Sequence, residues 1–211
     1  MPLKQELTTN TTASPILASY DYQDVADGTG IVEFMFCQEE DSTGTGQFLT
    51  SNNLYADPVF LRGSATAVST TDETYNFDVT LNSPRDLKGD IFTNLGIGVY
   101  SQSSGTMTFK IYTSVYHYDG TTETQIGSTI ESPTWTGTSS GNTYYSNALL
   151  KIANTNKIHF AKGDILRAKI RLKTTRTSGV HYVYFATNPA GNTEPSTTSI
   201  SKISVPFIIT L

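Results

Sequence analysis

The chain has 211 residues, of which 37% are hydrophobic and only 16% are charged. Its formal net charge of -5 and its sequence pI of ≈ 5.1 argue against a nucleic-acid-binding protein. Its single cysteine, Cys37, excludes an internal disulfide and a thiolate zinc cage.

The first 18 residues are polar and rich in threonine, which predicts a flexible amino-terminal arm over residues 1–18. Neither the arm nor any later segment has a run of about 18 apolar residues, so we expect no membrane span. The arm also lacks the apolar stretch of a signal peptide, so we expect synthesis in a cytoplasm. Asp21, Asp24 and Asp27 follow the arm in an approximate calcium-loop spacing, but the distal glutamate is missing. We therefore predict a plain loop, no metal and no cofactor.

Strand patterns then recur along the whole chain, and threonine and serine together supply 55 residues suited to strands and turns. The segments with apolar alternation or short apolar runs are GIVEFMFCQ, TYNFDVTL, NLGIGVYS, TMTFKIYTSVYHYDG, TQIGSTI, HYVYFAT and ISVPFIITL. The segment at 146–154 fits a short helix or a strand. About eight to ten antiparallel strands over residues 19–211 predict a single all-β domain, an antiparallel β-sandwich of the jelly-roll type.

The segment GDILRAKIRLKTTR, at 163–176, alternates apolar and cationic residues. In an extended chain one face would carry Leu166, Ala168, Ile170 and Leu172, and the other Arg167, Lys169, Arg171 and Lys173. Residues 1–100 hold 14 acids and 4 bases, whereas residues 150–211 hold 2 acids and 9 bases. Three interpretations stay open: internal charge compensation between the two ends, contact with an acidic surface of another copy or partner, and a solvated strand face.

Aromatic residues offer a second kind of surface. They are Tyr112, Tyr116, Tyr118, Tyr144, Tyr145, Tyr182, Tyr184 and Trp135. Such rings suit either a sugar-binding surface or a subunit interface, and we favour the interface.

No arrangement of residues in the sequence is typical of a catalytic site. The histidines, His117, His159 and His181, lie in none of the motifs of hydrolases or metalloproteases. The acids Glu39, Glu40 and Asp41 fall in a loop-like stretch with nothing to fix the carboxylate separation that glycoside hydrolysis needs. Cys37 follows an apolar run, as a buried small residue does. We predict that the protein is not an enzyme.

The block IHFAKGDILRAKIRL, the strand HYVYFAT, the turn NPAG and the closing SVPFIITL together resemble the carboxyl-terminal half of jelly-roll modules in tailed-phage virion proteins. Trimeric heads of the complement and tumour-necrosis-factor type use a similar Gly-Asp turn before an alternating strand. The resemblance spans residues 75–211. It implies a module that decorates a capsid or forms a knob, fibre or tail component, often as a trimer, and it brings no catalytic residues.

From these patterns we predict a virion structural protein, a homotrimer that decorates the phage head and stabilises it through multivalent contacts with the major capsid protein or another virion protein. The predicted contact residues are Arg167, Lys169, Arg171, Lys173, Tyr116, Tyr118 and Trp135. The alternative is a tail or fibre module that recognises host-surface glycans.

Overall fold

A computed structural model describes residues 18–19, 29–41, 44–51, 59–65, 70–101, 106–137, 143–176, 181–187 and 201–208. Apart from Ala18, the predicted arm lies outside these residues, as does the Asp21, Asp24 and Asp27 loop. The described part of the chain contains no helix long and apolar enough to cross a membrane.

The described residues form fifteen strands, more than the eight to ten predicted, because several are only two or three residues long. They are β1 Ala18–Ser19, β2 Thr29–Asp41, β3 Gly44–Thr50, β4 Val59–Ala65, β5 Thr70–Thr80, β6 Arg85–Leu87, β7 Ile91–Ser101, β8 Met107–Tyr118, β9 Glu123–Glu131, β10 Trp135–Gly137, β11 Thr143–Ile152, β12 Ile158–Phe160, β13 Ile165–Arg176, β14 His181–Thr187 and β15 Lys202–Ile208.

The strands form one continuous sheet in the order β10-β8-β13-β5-β3-β2-β15-β7-β14-β4, with the other strands paired beside this path. All pairings are antiparallel apart from a single parallel bridge between Phe48 of β3 and Asp78 of β5. The sheet curls back on itself, since β5 and β14 are five places apart in the order yet their Phe77 and Phe185 rings lie 5.7 Å apart. Both rings also pack edge-on against Phe36 of β2. The fold is therefore an all-β, jelly-roll-like sandwich, as the sequence predicts.

The core lies between the two layers and is built from alternate residues of each strand. In β15, Ile203, Val205 and Phe207 are all at most 2% exposed, while the residues between them face outward. Phe160 of β12 joins the layers, because its ring contacts both His117 of β8 and Phe207. The period of two along each strand thus determines which residues form the core.

The helix considered at 146–154 does not form, because residues 146–152 lie in β11 and pair with β7. Ala148, Leu150 and Ile152 are buried, whereas Leu149 is 72% exposed. This period of two fits a strand and is incompatible with a helix.

Two Lys-Gly-Asp turns precede β7 and β13, and both have glycine in a conformation that other residues rarely adopt, with φ of +115° at Gly89 and +96° at Gly163. The aspartate of each turn then fixes it. Asp90 accepts hydrogen bonds from Lys151 Nζ and the Asn154 amide, and Asp164 accepts one from the Ala161 amide. The repeated triplet therefore serves as turn chemistry in the structure.

Candidate functional site

The cationic strand β13 lies in the interior of the sheet, between β5 and β8. The four apolar residues of the predicted alternation, Leu166 to Leu172, are each at most 1% exposed, and the four cations that alternate with them, Arg167 to Lys173, point to the opposite side. The predicted alternation is confirmed. We call the outer side the ladder face, defined by the β13 cations and the β5, β8 and β9 side chains that contact them.

Arg167 is the centre of the ladder face. Its Nε and Nη2 donate to the two oxygens of Asp78, both at 2.7 Å, and Nη1 donates to Glu123 at 2.9 Å. The arginine side chain is only 21% exposed, so the pair is shielded from much of the solvent. The hydrogen bond to Asp78, helped by the one to Glu123, raises the pKa of Arg167.

The next two cations are paired in the same way. Lys169 Nζ bonds to Glu123, and the guanidinium of Arg171 bonds to both oxygens of Asp72. The hydrogen bond from Arg171 lowers the pKa of Asp72. Burial raises the pKa of Glu123, but the bonds from Lys169 and Arg167 outweigh burial, so this pKa is lowered overall. Three of the four cations are thus neutralised by carboxylates of the same chain.

Each of these three cations also lies over a tyrosine ring of β8. The ring centroids are 5.1 Å from Arg167 Cζ for Tyr118, 4.3 Å from Lys169 Nζ for Tyr116, and 5.0 Å from Arg171 Cζ for Tyr112. Cation–π contacts of this kind contribute about 0.5–1 kcal/mol at exposed sites. One face of each ring is therefore occupied within the protein, which leaves only the other face for stacking on a sugar.

Lys173 differs from the other ladder cations. No carboxylate of the described residues lies within salt-bridge distance of its ammonium group, although Asp72 and Glu131 are near enough to interact electrostatically. Directly across the strand pair from Lys173 is a second cation, Lys110 of β8. The positive charge of the ladder face is therefore concentrated at this end.

Trp135 is separated from the other predicted contact residues. It is paired in register with Phe109, which is buried, and the two rings stack with centroids 4.9 Å apart. Residues directly opposite each other on paired strands share a face of the sheet. Trp135 therefore packs at the margin of the core and not beside the β8 tyrosines. Tyr144, Tyr145, Tyr182 and Tyr184 lie in strands, but their side chains are outside the described residues.

The other candidates considered in the sequence have structural surroundings. His117 Nε2 lies 2.6 Å from Asp164 and the ring packs on Phe160, while His159 Nδ1 lies 2.7 Å from Asp86. Cys37 is 1% exposed, which confirms the prediction of a buried residue.

Three further candidates differ from expectation or lie outside the described side chains. The acids Glu39, Glu40 and Asp41 lie at the end of strand β2, paired with β3, and not in a loop. His181 begins β14, but its side chain lies outside the described residues. Among the residues that the structure describes, no cluster of three or more His, Cys, Asp or Glu side chains is arranged to hold a metal ion.

Sequence reasoning missed the acidic partners of the ladder. Asp78 stands on the polar side of the alternating segment TYNFDVTL, which was a signal that it shares a face with polar neighbours. Nothing local indicated that this face adjoins β13, 89 residues away. One feature of the sequence indicates contact between the two ends of the chain: acids are in excess in residues 1–100 and bases in residues 150–211. Of the three interpretations of this asymmetry, the ion pairs of Asp72 and Asp78 favour internal charge compensation.

No protein-family model and no curated protein matches the chain. Among solved structures, a CocE/NonD family hydrolase from Staphylococcus aureus is similar at a TM-score of 0.46 and 10% identity, covering 83% of this chain and 37% of that one. A structure of the Gt strain of infectious bursal disease virus is similar at a TM-score of 0.25 and 13% identity, covering 80% and 40%. The VP2 protein of the same virus, in T=1 particles, is similar at 0.25 and 13%, covering 82% and 40%. This chain thus spans about two fifths of the length of these structures, and they assign it neither a family nor an activity.

Proposed function

We propose that the chain is a structural protein of a virus particle, of the capsid-decoration or accessory type, and that it acts by binding other protein subunits and not by catalysis. The jelly-roll-like sandwich and the resemblance of residues 75–211 to phage virion modules support this proposal. The observation that carries it is an exposed apolar surface on the layer opposite the ladder face.

This surface, which we call the apolar diagonal, crosses four neighbouring strands. It is formed by Leu149 of β11, Phe92 of β7, Pro206 of β15 and Ile31 of β2. Leu149 is 72% exposed, and Phe92 and Ile31 are each 40% exposed. Single exposed apolar residues are common, but large ones aligned across adjacent strands mark interaction sites.

The occupant that we propose for the apolar diagonal is a second copy of this chain. The charges beside it are neutralised, because Lys202 pairs with Glu33 at 2.6 Å and Lys151 pairs with Asp90 at 2.9 Å. Two copies of a protein with net charge -5 repel each other least through a surface without net charge. The expected assembly is the homotrimer implied by the resemblance.

An oligomer of this kind binds a capsid through several equivalent surfaces at once. After one subunit attaches, the others bind at high effective concentration, so weak single contacts produce stable decoration. The predicted arm, residues 1–18, is a candidate for the contact with the capsid, and it lies outside the described residues except for Ala18.

The test is the mass of the protein in solution, measured by light scattering and by sedimentation. We expect an oligomer of the 23.0 kDa chain, and we expect Leu149→Lys to convert it to monomer while its circular dichroism spectrum is unchanged. Ser83→Lys adds the same charge at an exposed turn and should leave the oligomer intact. A wild-type protein that stays monomeric at high micromolar concentration would refute the proposal, and so would an oligomer that Leu149→Lys does not affect.

A further inference from the structure

A pocket of about 250 Å³ lies on the ladder face at the end marked by Lys173. Its lining residues are Thr108, Phe109, Lys110, Tyr112, Thr134, Lys173 and Thr175. The pocket does not belong to the apolar diagonal, and the proposed function does not depend on it.

The pocket arises where β9 gives way to β10 along the edge of β8. β9 pairs with residues 112–118 of β8, and β10 pairs with residues 107–109. Between β9 and β10, Ser132 makes both hydrogen bonds to Ile111 of β8. Its amide donates to the Ile111 carbonyl, and its hydroxyl accepts from the Ile111 amide. Pro133 follows and has no amide hydrogen to continue a strand. The interruption opens a gap beside Lys110.

The charges at this gap do not cancel. Lys110 and Lys173 are directly opposite in the β8–β13 pairing, and like charges in that position destabilise a sheet. Glu131 pairs with Lys110 at 3.0 Å, but Asp72, beside Lys173, already holds both guanidinium nitrogens of Arg171. Of the two carboxylates, only Glu131 is left to balance the charges of Lys110 and Lys173. The pocket therefore retains positive charge.

The remaining polar groups suit an anion with several oxygens. Three threonines line the pocket, Thr108, Thr134 and Thr175. The Thr108 hydroxyl donates to the Thr175 carbonyl at 3.4 Å, and the Thr134 hydroxyl at the β9–β10 junction can donate to an oxyanion alongside the ammonium groups. The ammonium donors come from two strands, and a hydroxyl donor comes from the β9–β10 junction. Donors from three sides match an anion with three or four acceptor oxygens better than a carboxylate, which has two oxygens. A pocket of this volume, partly open to solvent, has room for an oxyanion with part of a sugar attached.

We propose that this pocket binds a phosphate or sulfate group, either as the free ion or carried on a saccharide. The bound anion offsets the repulsion between Lys110 and Lys173. Glu131 stays paired with Lys110 and competes with the anion for this lysine.

The experiment is a titration of the full chain with inorganic phosphate, sulfate or acetate at constant ionic strength, followed through the backbone amide resonances of Thr108 and Thr175. We expect saturable shifts with phosphate and sulfate, and at least about tenfold weaker binding with acetate, which is about 1.4 kcal/mol. Lys173→Met should weaken phosphate binding at least about tenfold, because it removes the lysine whose ammonium group forms no salt bridge with a carboxylate of the described residues. Lys162→Met, which removes a lysine from the turn at the other end of β13, should leave the binding unchanged.

Glucose 6-phosphate and glucose 6-sulfate distinguish the two sources of the group. Tighter binding than the free ion indicates that the saccharide contributes, and equal binding indicates a site for the ion alone. Shifts that do not saturate in the wild type, or equal affinities in the wild type and in Lys173→Met, would overturn the proposal. Acetate binding as tight as phosphate binding would overturn the assignment to a phosphate or sulfate group. None of these outcomes depends on whether the chain forms oligomers or decorates a capsid.

Discussion

The ion pair between Arg167 and Asp78 can be measured by a double-mutant cycle with Arg167→Met, Asp78→Asn and the combined variant. Both nitrogen–oxygen distances are 2.7 Å, and the two side chains are only 21% and 31% exposed. Hydrogen bonds to charged groups contribute about 1.5–3 kcal/mol, whereas exposed ion pairs contribute about 0.2–1 kcal/mol. For this partly shielded, bidentate pair we expect a coupling free energy of about 1.5 kcal/mol, at the lower end of the range for hydrogen bonds to charged groups.

The assay is urea unfolding of the four proteins at neutral pH, at low and at high salt. The matched control is the same cycle on Lys202 and Glu33, a single bond on the other layer with side chains 36% and 49% exposed. The control should give less than about 1 kcal/mol and should weaken at high salt, because salt screens exposed charges most. A coupling for Arg167 and Asp78 no larger than that of the control would refute the reasoning.

The same contacts decide what charge reversal at Arg167 does. Arg167→Glu would place a third carboxylate beside Asp78 and Glu123, which now share the arginine. We therefore expect this variant to be less stable than Arg167→Met in the same urea assay. Equal stabilities of Arg167→Glu and Arg167→Met would contradict this expectation.

Other variants test the turns and the core, all by urea or acid unfolding. Gly127→Ala should destabilise the fold by about 1–3 kcal/mol, because an added Cβ would lie 2.6 Å from a backbone oxygen. The control is Gly120→Ala, where nothing lies within 4 Å of the added Cβ. An equal loss of stability in the two variants would contradict the clash at Gly127. Asp119 accepts three hydrogen bonds in its turn, which lower its pKa to about 2. Its stabilisation is therefore complete above the ordinary pKa of 3.8 and is lost as pH falls towards 2. Asp119→Asn should flatten that acid dependence, and an unchanged profile would exclude the role. Phe77→Ala should cost about 3–5 kcal/mol, and a loss below about 1 kcal/mol would mean that its three-ring cluster is not central to the core.

The sequence predicts the strands well wherever one face is buried. In β13 and β15 the alternation is local information, because each residue's side follows from its position in an extended chain. The segment 146–154 was ambiguous for the same reason, since a short apolar run fits either period until a neighbouring strand is known. Pairing with β7 resolves the ambiguity, and this pairing is a tertiary effect.

The candidate site was predictable only in part. The sequence shows the four cations of the ladder, but the carboxylate partners of three of them lie 44 to 99 residues away in the chain, on strands whose register no short motif encodes. Trp135 was grouped with the tyrosines by composition, whereas its register with Phe109 places it at the core margin. Residue type indicates which chemistry is present, and sheet topology determines which groups meet.

The position of β13 in the chain has a consequence for biosynthesis. Residues 1–149 carry 17 acids and 5 bases, a net charge of -12, and they leave the ribosome before the strand that neutralises Asp72, Asp78 and Glu123. Until that strand arrives, the nascent chain repels itself and lacks the central partner of both β5 and β8. The sandwich therefore closes only after β13 has been synthesised, and a product truncated before residue 165 should remain strongly anionic and unfolded.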